Sequence, residues 1–136
     1  MRNPKKHTFD AVIRIADRIK IRKRQLDQTV HALLAVCDAL PGIVAIYAYG
    51  SYANGTTGPT SDVDVLIVRD TPLRRMERDH DIRPFFSAPA GIDMLILTPQ
   101  EYEVELPGNS VGQGILQEAV LLKQYPDAKS AANAGE

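Results

Sequence analysis

Apolar positions in the first third of the chain recur every three, four or seven residues: Val12, Ala16, Ile19, Leu26, Val30, Leu33, Cys37 and Leu40. That spacing lays one stripe along a helix and predicts helix over residues 8–40. The run Lys20–Arg24, with four cations in five positions, leaves open whether this is one rod or two. Pro41-Gly42 ends the helical pattern. Ile43–Tyr49, rich in β-branched and aromatic residues, then reads as a strand. Val63–Val68 is a second strand, apolar enough to be buried on both faces, and Ile92–Leu97 a third. Residues 69–90 form a charged, proline-containing connection, with a helix expected around Leu73–Asp81. Thr98-Pro99-Gln100-Glu101 is a capping box with proline at the first helical position, so a helix should begin there and end at Pro107-Gly108. Val111–Glu118 reads as helix, and Val120–Leu122 as a short edge strand or that helix's end. Strands alternating with helices indicate one α/β (α+β) domain over residues 1–125, followed by a tail at 126–136 expected to be disordered.

Composition narrows the class. With 136 residues, 44% apolar and 24% charged, the chain has the make-up of a single soluble globular domain. A net charge of −1 gives no bulk attraction to nucleic acid. Cys37, the lone cysteine, precludes an internal disulfide and fits a reducing compartment. Asp10, Arg14, Asp17 and Arg18 interrupt any apolar stretch after the basic N-terminus, so no signal peptide is expected. No apolar run approaches the roughly 20 residues of a membrane span. The expectation is a cytoplasmic monomer or small homo-oligomer with no membrane partner.

The segment Gly50–Val68, GSYANGTTGPTSDVDVLIV, carries the chemistry. Asp62 and Asp64 stand two apart at the head of an apolar strand, so their side chains share one face. Two carboxylates so placed can converge on a hard cation, with phosphate oxygens filling its remaining positions. The plainer alternative is a turn cap beside a solvated strand end. Asp93 lies one residue into the third strand; if that strand adjoins the second, three acids meet at one corner of the sheet. Such a cluster repels itself without cations and is the usual seat of metal-assisted phosphoryl or nucleotidyl transfer. Gly50-Ser51, leaving the first strand, permits close backbone approach to phosphate oxygens or is simply a tight turn. A P-loop reading of Gly50 and Gly55 fails, because Thr56 stands where the lysine is required and Pro59 prevents the long helix. Asp79-His80-Asp81 and the Lys20–Arg24 run read as solvated charged faces, His7 and His31 as isolated, and Cys37 as core.

Gly50-Ser51, ten residues, Asp62-Val63-Asp64, and Asp93 in the strand IDMLIL together resemble the nucleotidyltransferases related to DNA polymerase beta, above all the minimal, single-domain type. The resemblance covers roughly residues 30–125. It implies a small mixed sheet flanked by helices, Mg²⁺ (two ions) held by Asp62, Asp64 and Asp93, and Gly50 and Ser51 positioning the phosphates of ATP. It further implies Asp93 assisting the acceptor hydroxyl. Many small members are antitoxins paired with a helical toxin, and some transfer AMP to it. The chain departs from the pattern at Asn54, where relatives often carry a basic residue, for which Arg69, Arg74 or Arg75 could substitute. The helical extension before about residue 25 suggests a partner or dimer contact.

Three functions follow. The first is an Mg²⁺-dependent adenylyltransferase acting on a partner protein as an antitoxin. The second is a non-catalytic module neutralising its partner by contact, using the N-terminal helix or the arginine-rich segment 69–83. The third is a nucleotidyltransferase acting on a small molecule, for which 136 residues leave little room to hold the acceptor.

Overall fold

Pro41-Gly42 turns the chain out of a single helix, α1 (Pro4–Asp38), into strand β1 (Ile43–Tyr49). The computed structural model describes residues 4–126, with side chains from residue 11; the tail expected to be disordered lies outside the described residues from 127 onward. There follow α2 (Gly50–Asn54), β2 (Val63–Arg69), β3 (Ile92–Leu97), α3 (Ser110–Glu118) and β4 (Val120–Gln124). The helix α1 passes through the Lys20–Arg24 run unbroken. Two of those cations face the protein: Arg22 bonds to Ser61 and Asp62, and Lys23 lies over the Tyr52 ring, so the run is no turn toward solvent.

The four strands form one mixed sheet in the order β3-β2-β1-β4. Strand β1 runs antiparallel to both its neighbours, while β2 and β3 are parallel, with Asp64 opposite Asp93. Residues 120–124 are thus an edge strand, not the end of α3.

Alternation along β2 separates the two layers. Val63, Val65 and Ile67 pack against Leu26, Val30, Leu33 and Cys37 of α1. Leu66 turns the other way, to Leu97, Leu106, Tyr47, Tyr49, Tyr102 and Ile115. Each large apolar side chain removed from water contributes about 1.5–3 kcal/mol, so both faces of β2 hold the fold together. Cys37 is fully buried, and that burial pushes its thiol up to about 11.

The connection 70–91 departs from expectation. It contains two short 3₁₀ turns, Arg75–Glu77 and Arg83–Phe85, in place of a helix around Leu73–Asp81. Most of its charges, among them Arg74, Glu77 and His80, are exposed as expected, but some bind inward. Arg69 is buried and gives both terminal nitrogens to Asp81, at 2.7 and 2.8 Å. Arg78 is buried too, donating to the carbonyls of Leu73 and Ile96 and to Glu101 Oε1. These side chains tie the segment to the C-terminal ends of β2 and β3, and a helix would turn half of them away. The capping box does form: the Thr98 amide donates to Glu101 Oε1 and the Glu101 amide to Thr98 Oγ1. It opens a single wide π turn, Glu101–Glu105, before Pro107 withdraws the next backbone donor. Among the described residues no helix is long and apolar enough to cross a membrane.

Candidate active site

The acids lie on the face of the sheet away from α1, where β2 and β3 begin. Parallel register sets Asp64 beside Asp93. Asp64 is half-buried and Asp93, on an edge strand, is exposed. Burial raises the Asp64 carboxyl above the ordinary aspartate value; the charges of Asp93 and Asp62, and a proton-sharing contact with Asp93, raise it further. Tyr49, the residue facing Asp64 across β1 and β2, is also raised, by burial and then by Asp64 and Asp93. An Asp64 carboxylate so disfavoured beside a second carboxylate forms a site that a hard cation would relieve.

Asp62 is not gathered with them. Its Oδ1 accepts from Arg22 Nη2 at 2.9 Å, while Arg22 Nε donates to the carbonyl of Ser61 at 2.7 Å. Among the described residues no three acidic, histidine or cysteine side chains come close enough together to hold an ion. The oxygen-only donor set suits Mg²⁺, and Asp64 with Asp93 fit it directly; Asp62 has its Oδ1 taken by Arg22.

Two glycines shape the corner. Gly50 takes φ +72°, and a Cβ there would stand 2.7 Å from Asp64 Oδ2. At Gly91 a Cβ would lie 2.9 Å from the Asp62 carboxyl carbon. Both acids therefore rest directly on backbone. Gly50 opens α2, and Ser51 follows in its first turn. Tyr52 fastens α2 to α1, its hydroxyl donating to Asp27 Oδ1 at 2.7 Å. Asn54 closes the following loop, its Oδ1 accepting from the amide and hydroxyl of Thr56.

None of the cations considered as substitutes for a basic residue at position 54 serves this corner. Arg69 is held by Asp81, and Arg75 by Glu101 and Glu105, both pairs at the other end of the strands. Arg74 is exposed ahead of the Arg75–Glu77 turn. The cation that does reach the acids, Arg22, escaped sequence reasoning because it sits inside a basic run that looks like a solvent face. Gly91 was legible only as the residue opening β3.

The chain is thus an α/β domain whose helix-flanked mixed sheet carries paired acids below a Gly-Ser turn. The model of the nucleotidyltransferase domain matches residues 31–127, and the chain belongs to that family. The bifunctional uridylyltransferase/uridylyl-removing enzyme of Aromatoleum aromaticum (strain DSM 19018 / LMG 30748 / EbN1) is 40% identical over 50 residues. That match spans 37% of this chain and 6% of the relative's length. In structure the chain resembles a Sulfolobus solfataricus protein designated a nucleotidyltransferase, with TM-score 0.56, 21% identity, and 79% of this chain and 86% of the other covered. It is also similar to a chain of a toxin-antitoxin structure containing AMP-PNP, with TM-score 0.51, 19% identity, and 77% and 86% covered. At these identities the two structures establish a common fold.

Proposed function

We propose that the domain transfers AMP from ATP to a hydroxyl of a partner protein, as the antitoxin of a toxin-antitoxin pair. The observation that carries this reading is the Asp64–Asp93 pair beside Gly50, in a member of the nucleotidyltransferase family. Asp62, Asp64 and Asp93 would hold Mg²⁺, which when bound offsets charge on the α-phosphate and the departing pyrophosphate. Gly50 and Ser51 would orient the phosphates. The acceptor oxygen forms its bond to the α-phosphorus as the bond to pyrophosphate breaks, and the hydroxyl proton passes to Asp93. Exposure of Asp93 on the edge strand supports that role, because an acceptor on another protein can reach it. Partnership is supported by α1, whose residues 11–18 are all exposed, Val12, Ile13 and Ile15 included. A toxin-antitoxin complex among the structural neighbours points the same way.

The test is co-expression with the product of the neighbouring reading frame, followed by intact mass of that partner. A gain of one AMP, absent when Asp64→Asn replaces the natural chain, supports the proposal. Label transfer undiminished by Asp64→Asn sinks it.

Asn54, spent on closing its own loop, and Asp62, paired to Arg22, favour a second reading: neutralisation by contact alone. Inhibition of the partner that survives replacement of Asp62, Asp64 and Asp93 together would select it.

A further inference from the structure

Arg22 reaches from α1 around the start of β2 to the far face of the sheet. Its three guanidinium nitrogens are all engaged: Nε with the Ser61 carbonyl, Nη2 with Asp62 Oδ1, and Nη1 with Gln25 Oε1 at 3.1 Å. The Arg22 side chain is 18% exposed and that of Asp62 54%. The arginine is therefore fixed in the protein while its partner remains open to solvent on one side. On the other side the Gly91 backbone limits where the Asp62 carboxyl can go. Asp64, two residues on and on the same face, lies instead against Gly50 and beside Asp93. Asp62 is thus held by a cation from α1, whereas Asp64 lies beside a second carboxylate.

We infer that Arg22 is a positioning residue that competes with a divalent cation for Asp62, so that α1 and the metal exclude one another at its Oδ1. The inference rests on the metal-binding reading above. Two effects act in one direction: Asp62 must release the guanidinium from Oδ1 before both its oxygens can ligate, and a fixed positive charge beside the carboxylate repels an incoming cation. The same helix carries the exposed stretch 11–18. A partner that draws α1 away from Ser61 and Asp62 therefore raises cation affinity, and by linkage the cation favours that partner.

Mn²⁺ binding to the full-length chain, followed by loss of the free-ion electron paramagnetic resonance signal, tests this without any turnover. Arg22→Gln removes the charge yet keeps a donor for the Ser61 carbonyl. It should bind Mn²⁺ roughly fivefold more tightly, as expected for releasing a partly exposed ion pair. In an Asp62→Asn background the same replacement should give a clearly smaller gain, because only the repulsion by the arginine charge is then relieved. Equal or weaker Mn²⁺ binding by a folded Arg22→Gln protein overturns the inference, as does a gain equally large without Asp62. Should Arg22→Gln lower the melting temperature too far for titration, Arg22→Lys retains charge but cannot span Ser61 and Asp62 together; a smaller gain supports competition and no gain refutes it. Asp64→Asn separates the two readings: if it leaves Mn²⁺ binding intact, the metal site itself is wrong, whatever Arg22 does. Mn²⁺ bound by neither natural nor Arg22→Gln protein overturns both.

Discussion

Gly50 and Asp64 are shaped to one another: the glycine holds a left-handed φ of +72°, and any Cβ would stand 2.7 Å from Asp64 Oδ2. Gly50→Ala must therefore strain the backbone and displace the carboxylate at once. We expect a loss of about 1–3 kcal/mol, read as a lowered melting temperature, with weakened Mn²⁺ binding alongside. An unchanged melting temperature would show that the turn relaxes at little cost.

Asp64→Asn should behave in the opposite way in the two assays. Removing one of two adjoining carboxylates relieves repulsion, so thermal stability at neutral pH should hold or rise. Nucleotidyl transfer should fall by at least roughly a hundredfold, since a metal ligand matters more than the outer-shell groups whose loss costs up to that much. A matching fall in both would indicate a scaffold role.

Glu101 joins three parts of the fold: the Thr98 amide, Arg75 and the buried Arg78. Glu101→Gln leaves the Arg78 guanidinium buried without a counter-charge. A destabilisation of about 2–4 kcal/mol is expected by denaturant titration, with the midpoint shifted and the slope unchanged.

The same residue gives a pH signature. Burial alone would raise the Glu101 carboxyl, but the Thr98 amide and hydroxyl with Arg75 and Arg78 hold it down at about 2. A carboxylate lowered on folding stabilises the protein above its ordinary value, near 4.5. That contribution is lost as pH falls from there toward 2. Natural protein should lose more stability than Glu101→Gln across that window; parallel curves would refute the assignment.

On α1, Val12 and Ile15 stand 58% and 49% exposed. Replacing both by serine should alter the melting temperature of the isolated chain by no more than about 0.5 kcal/mol equivalent. If α1 is the partner's landing place, pull-down of the neighbouring gene's product should weaken at least tenfold. Retained binding would move the interface elsewhere.

Much of this architecture is legible in residue patterns because each strand carries its own signal. IVAIYAY, VDVLIV and IDMLIL are apolar and β-branched, and they end up as neighbours in one sheet. The pairing of Asp64 with Asp93 requires only that the second and third strands adjoin, as they do. The end of β2 and the connection 70–91 mislead for a physical reason: Arg69 and Arg78 look like surface residues because only tertiary partners, Asp81, Glu101 and the Ile96 carbonyl, make their burial tolerable. Arg22 is hidden similarly, since its partners lie 39 and 40 residues away. The basic run, which leaves one rod or two open, lies within a single helix whose Arg22 and Lys23 bind inward.

The alternation along β2 has a consequence for how the chain finds its pairing. Sliding β2 by one residue would drive Asp62 and Asp64 into the layer occupied by Leu26, Leu33 and Cys37, and expel Val63 and Val65 into water. The acids thus penalise every odd misalignment of the strand during folding. Replacing them with neutral residues should cost this sheet some of its discrimination between competing alignments, even where it costs no stability.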